Sequence, residues 1–226
     1  MRITCQTGLS VVSMLHTLYV FTCSSQKPQN GHDKTQYGYN NLSGPGKPLQ
    51  VAHTCRKRPL AQASDVDAVI LSIPLNRIPG IASLVARLPD ETVVIDTSNY
   101  YPFRDEKIDA IERGQVESLW AAEQLGRPIA KAWNAIGSVS LVKKAKPAGA
   151  SDRIAIPVAA DRDHDRKVAM SLVNDTGLDA FDAGSLADSW RQQPGAPVYC
   201  TDLSYAEVGP ALDAAERDRL QPRAPS

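Results

Sequence analysis

Three short polar segments, each following an apolar run, carry side chains suited to holding a small polar molecule. They are Ser72-Ile73-Pro74-Leu75-Asn76, Asp96-Thr97-Ser98-Asn99 and Trp133-Asn134-Ala135. Amide and hydroxyl groups in such loops can pair with ribose hydroxyls or a carboxamide, and a proline-bounded backbone offers a rigid apolar wall. Taken singly, each has an ordinary alternative: Ser72 as a small core residue, Asn99 as a turn former, Asn134 as a helix cap. Taken together and in chain order, they mark one site, with Ser72, Ile73, Pro74, Asn76, Asp96, Thr97, Asn99 and Asn134 as candidate cofactor contacts.

Other chemistries find little support. Gly137-Ser138-Val139-Ser140 lacks the GxSxG elbow of a serine hydrolase, and His164 is the only histidine after residue 60, which argues against a histidine-based metal centre. Lys131 could polarise a carbonyl, although a lysine at the end of an apolar strand commonly snorkels to solvent. No metal and no catalytic side chain is expected.

The elements that must position these loops follow from periodicity. Ala68–Ile73 is a continuous apolar run, as expected of a strand covered on both faces. Pro74 ends it, Asn76 is the expected helix cap, and Ile78, Ile81, Leu84, Val85 and Leu88 recur on one helical face. Thr92–Ile95 is the next strand. Helical character runs from about Asp105 to Leu125, interrupted near Gly114 and closed by Gly126 and Pro128. Ile129–Trp133 and Arg153–Val158 read as strands, Asp163–Val173 as a helix ended by Gly177, and Leu178–Phe181 as an edge strand. Apolar runs alternating with amphipathic helices predict an α/β fold, a doubly wound and mostly parallel sheet. In such sheets ligands bind beyond the carboxyl ends of the strands, where all three polar segments fall.

The chain of 226 residues carries 25 Lys and Arg against 25 Asp and Glu. With no global field of either sign, neither nucleic acid nor a membrane surface is an expected partner; a small molecule is, with a homodimer compatible. The balance conceals a break. Residues 1–60 hold seven Lys/Arg, one carboxylate and a single alanine, whereas the remainder holds 18 Lys/Arg, 24 carboxylates and 27 alanines. Three of the four cysteines also lie in that first segment, without CxxC spacing, so the body reads as reduced and cytoplasmic. The stretch Leu9–Phe21 has the outline of a secretory leader, but Met14, His16, Thr17 and Tyr19 interrupt it. Residues 24–59 show neither helical nor strand periodicity and are expected to be irregular. The organisation expected is therefore an anomalous segment over 1–60, a nucleotide-binding domain over 61–203, and a C-terminal helix and tail over 204–226.

The succession DAVILSIP, TVVIDTSNYYPFRD, ESLWAAEQLGRPIAKAWNAI, RIAIPVAAD and GLDAFDAGSLADSWRQQPGAPVY resembles the NADP oxidoreductases that use, or are related to those that use, the deazaflavin coenzyme. The resemblance covers about residues 61–203. It implies a Rossmann-like domain in which Ser72, Ile73 and Pro74 lie against the nicotinamide ribose and Asn99 and Asn134 sit near the reacting ring. It also implies that Asn99, Trp133, Arg191, Gln192 and Pro194 border the second substrate, although Trp133 stands where phenylalanine is more usual and the alternative for Arg191 is a surface ion-pair partner. The cofactor implied is NADP, with a deazaflavin coenzyme or a small carbonyl compound as hydride partner.

One part of the pattern is missing. Such a domain opens with a strand, GxGxxG and a helix, whose glycines let the backbone approach the pyrophosphate. Ser43-Gly44-Pro45-Gly46-Lys47-Pro48 is the nearest candidate, and its prolines remove the needed backbone donors. Together with the compositional break, this leads to the expectation that the front of the domain has been replaced, for example through a shifted reading frame, and that NADP binding is weakened. A non-catalytic nucleotide-binding module or an inactive fragment is the alternative reading.

Overall fold

Strands β3 (Ala68–Ser72) and β4 (Val93–Asp96) form the centre of the sheet, paired in parallel from Ala68 opposite Val93 to Leu71 opposite Asp96. Their apolar residues divide between two faces, as the two-residue period of a strand requires. Val69, Leu71 and Val94 enter one core, while Ala68, Val93 and Ile95 enter the other. Fully burying each such valine, leucine or isoleucine contributes about 1.5–3 kcal/mol.

The computed structural model describes the backbone of residues 19–25 and 53–58 and the whole of residues 66–217. Beyond β4, β5 (Ala130–Lys131) pairs in parallel, β6 (Ala155–Ala160) then runs antiparallel to β5, and β7 (Asp179–Asp182) closes the edge parallel to β6. On the other side, β1 (Tyr19–Ser25) lies antiparallel to β3 and β2 (His53–Arg58) antiparallel to β1. The order is β2-β1-β3-β4-β5-β6-β7.

The two outer strands correct the expectation of an irregular stretch over residues 24–59: His53–Arg58 is a strand inside it, and Tyr19–Ser25 overlaps its first two residues. Periodicity missed them because pairing along the backbone needs no alternation of apolar side chains. The rest of residues 1–60, including the glycine-rich stretch 43–48, lies outside the described residues, as does the tail beyond residue 217.

Helices cover both faces. On one, a 3-10 helix (Leu75–Ile81), α1 (Ala82–Val85) and α4 (Glu117–Leu125) pack with Val69, Leu71 and Val94; Leu75, Ile78, Ile81 and Val85 are all buried there. The expected single helix is therefore a 3-10 segment followed by one α-turn, because Pro79 lacks a donor N–H and Gly80 disfavours helix. The cap expected at Asn76 is also corrected: Pro74 holds the N-cap position, and Asn76 lies within the 3-10 helix. On the opposite face, α6 (Asp163–Asp175) places Ala169, Leu172 and Val173 against the second core.

The region expected to be helical but broken near Gly114 resolves into α2 (Pro102–Asp105), α3 (Asp109–Glu112) and α4. Gly114 has φ of 96° and Gly126 caps α4 in the left-handed conformation, a backbone state that costs glycine least. Next to it, the Arg127 guanidinium donates to carbonyls of Val85, Leu88, Pro89 and Thr92, the last at 2.7 Å. One side chain thus ties the end of α1 to the start of β4. After α5 (Ser138–Lys143), the remaining helix is α7 (Tyr205–Asp213), opened by a Ser204–Glu207 capping box; its Val208 and Leu212 pack on Ala155 and Ala159 of β6.

Candidate functional site

Parallel pairing of β3, β4 and β5 brings Leu71, Asp96 and Lys131 into register, so the loops that follow these strands emerge from one edge. The loop after β4 is fastened to β3 by Thr97, whose amide and hydroxyl both donate to the Leu71 carbonyl at 3.1 Å. Beneath these loops lies a buried ion pair: Lys131 Nζ contacts Asp96 Oδ2 at 2.7 Å, with both side chains fully enclosed. Lys131 also donates to the Ser98 carbonyl, while the Ser98 amide donates to Asp96 Oδ1 at 2.9 Å. Lys131 therefore does not snorkel. Instead, it neutralises Asp96 and pins the 96–99 turn, since a charge can be buried at tolerable cost only when paired and hydrogen-bonded.

Three amide side chains form a connected network near the ion pair, in which Gln192 Oε1 is left buried without a partner. Asn134 Nδ2 donates to Asn99 Oδ1 at 3.1 Å and to the Gln192 carbonyl at 2.8 Å; Gln192 Nε2 donates back to Asn134 Oδ1 at 2.8 Å. Asn99 Nδ2 donates to the Asn134 carbonyl at 2.9 Å and to the Tyr199 hydroxyl at 3.3 Å. The loops after β4 and β5 are thereby locked to the segment around Gln192, which ends a 3-10 helix over Leu186–Gln192.

Tyr199 and Tyr101 were not among the sequence candidates. Their hydroxyls share a hydrogen bond at the rim of the amide network. Burial pushes both phenols up; the bond to Tyr101 raises Tyr199 further, whereas the same bond lowers Tyr101. Tyr199 thus keeps its proton across the physiological range. Sequence could have flagged Tyr100-Tyr101 in the loop after β4, but nothing in the spacing linked them to a residue 98 positions on.

The other sequence candidates occupy different surroundings. Ser72 is exposed, Ile73 buried and Pro74 half-buried at the carboxyl end of β3, while Asn76 holds a buried, unpartnered Oδ1. Trp133 adopts φ of 57°, an unusual state for a bulky residue, and its indole Nε1 is buried without a partner. Pro194 is buried beside Gln192. Arg191 points away from the amide network to an ion pair with Asp213 at 3.4 Å.

No family model matches this sequence. Over 80 residues, 35% of this chain, it is 44% identical to the protein YjhV of Escherichia coli (strain K12), and the chain spans 58% of that relative's length. Among solved structures, the hypothetical protein SMa0349 from Sinorhizobium meliloti matches with a TM-score of 0.52 at 25% identity, over 64% of this chain and 69% of that one. The fold is Rossmann-like. A proposed F420-dependent NADP reductase from Arthrobacter sp. FB24 matches at a TM-score of 0.45 and 15% identity, over 58% of this chain and 61% of that one.

The sheet departs from an all-parallel doubly wound plan at β6, antiparallel to β5, and beside β3. The place beside β3 belongs to β1, which runs antiparallel and sets Tyr19 opposite Ser72.

Proposed function

We propose that this chain is an NADP-linked oxidoreductase that transfers a hydride between NADP(H) and a deazaflavin coenzyme or small carbonyl compound. The observation that carries this reading is the convergence of three parallel strand ends on the Asn99–Asn134–Gln192 amide network, with two tyrosines at its rim.

Unused polar groups follow β3 and β5. Asn76 Oδ1 and Trp133 Nε1 are buried without partners, one an acceptor and the other a donor. Such a pair suits a ribose hydroxyl and a carboxamide, because a ligand that satisfies them removes a penalty of about 1–3 kcal/mol each. The groups present therefore fit the nicotinamide half of the nucleotide. When bound, that half supplies the hydride. Ser72, Ile73 and Pro74 furnish the wall, the amide network keeps Asn99 and Asn134 fixed, and Tyr199 holds a proton on its phenolic oxygen that can be given to a reduced carbonyl. Rigid placement of this kind contributes chiefly by orientation and exclusion of water.

The antiparallel β1 favours a second reading, nucleotide binding without turnover. β1 starts at this edge, so it feeds no strand-to-helix turn there and, among the described residues, supplies no helix N-terminus to a diphosphate.

Titration of the purified chain with NADPH, followed by tryptophan fluorescence, tests both readings. The first expects saturable binding weaker than micromolar together with oxidation of NADPH in the presence of an acceptor. Saturation without oxidation supports the second, and no saturation overturns both.

A further inference from the structure

Tyr100 stands between Asn99 and Tyr101, yet its side chain turns away from the amide network and lines a pocket of about 130 Å³. Glu117 and Val116 at the start of α4 form another wall, with Trp190 and Gln193 opposite in sequence and Arg217 also contributing. The volume is several-fold the roughly 10–15 Å³ that a single water needs on the same measure.

Two of its lining residues carry polar atoms with nothing to bond. Glu117 Oε2 and Gln193 Nε2 are both enclosed and unpartnered, on residues only 4% and 8% exposed. The other side of the Glu117 carboxylate is held by the Tyr100 amide. An acceptor and a donor buried in one pocket without partners are rare in native proteins, because each forfeits its hydration.

We propose that this pocket is a second binding site, separate from the cleft at the strand ends, for a small neutral molecule bearing a carboxamide or lactam group. The N–H of such a ligand donates to Glu117 Oε2, and its carbonyl accepts from Gln193 Nε2. Trp190, together with Tyr100 and Val116, supplies apolar surface for a planar body. The Arg217 guanidinium stacks on the Trp190 ring at 5.1 Å and so extends the flat surface on that side.

The test uses the full chain and propionamide, followed by amide-resolved NMR, and requires no nicotinamide nucleotide, so its outcome is independent of the cleft. Saturable shifts are expected at Val116, Glu117 and Gln193. Glu117→Leu and Gln193→Leu should each weaken propionamide at least tenfold; a thermal transition in each variant establishes that it is folded. Absence of shifts at these residues overturns the proposal, as does equal binding in either folded variant. A structure obtained in saturating propionamide that shows only waters between Glu117 and Gln193 overturns it too.

Discussion

The amide network at the strand ends and the Glu117 pocket are both built from buried polar side chains, but bonding is dense in one and sparse in the other. In the network, Asn134 donates twice and accepts once from side chains or carbonyls fixed by the sheet, although Gln192 Oε1 lacks a partner. In the pocket, Glu117 and Gln193 each keep an atom without a partner. A dense network holds the fold and becomes expensive to break, because removal of one member strands the others. A sparsely bonded pair holds less together, and its members can be replaced at smaller cost.

The sharpest way to break this comparison lies beneath the network. Lys131→Met leaves Asp96 buried and unpaired, and a loss of about 3–5 kcal/mol is expected from urea unfolding. A small loss would mean that the ion pair is not what secures the 96–99 turn.

Next comes Glu117, where the sign is opposite. Burial raises its pKa from 4.5 to about 7; the Lys131 charge pulls it back, as does the Tyr100 amide, while Asp96 and Asp105 push it higher. Between those values the folded chain retains a proton that the unfolded chain has released, so stability falls as pH rises from about 4.5 and levels off above about 7. Glu117→Gln should abolish that decline and stabilise the chain by up to about 3 kcal/mol above neutrality. Denaturant midpoints at about pH 5 and about pH 8 measure it, and an unchanged slope would count against Glu117 as the origin.

Asn134→Ala is expected to cost about 2 kcal/mol, since Asn99 and Gln192 lose partners together. Double-mutant cycles with Asn99→Ala should show coupling, and strict additivity would contradict a network. The smallest effect belongs to Gln193→Leu, within about 1 kcal/mol of neutral by thermal denaturation.

Much of the sheet was legible in the sequence because residues 68–71 and 93–95 are apolar without interruption, a pattern expected of strands covered on both faces. The three loops could be placed for the same reason, and Asn99, Asn134 and Gln192 do meet. Less legible was anything set by distant pairing. Lys131 reads as a solvent-seeking side chain in the sequence because only the fold sets Asp96 opposite it, and only the fold joins Tyr199 to Tyr101. Pro79 and Gly80 break a segment whose apolar spacing is helical. Strands β1 and β2 were invisible because backbone pairing leaves no mark on side-chain periodicity.

That β1 points the other way sets what this strand can contribute. It enters the sheet beside Ser72 and does not leave it there, so β1 itself feeds no strand-to-helix turn at this edge. On the proposed reading, the ring and adjoining sugar of the nucleotide are what the described loops grip. Nicotinamide mononucleotide is then expected to bind nearly as well as the full dinucleotide, and a dinucleotide that binds at least tenfold more tightly would overturn that expectation.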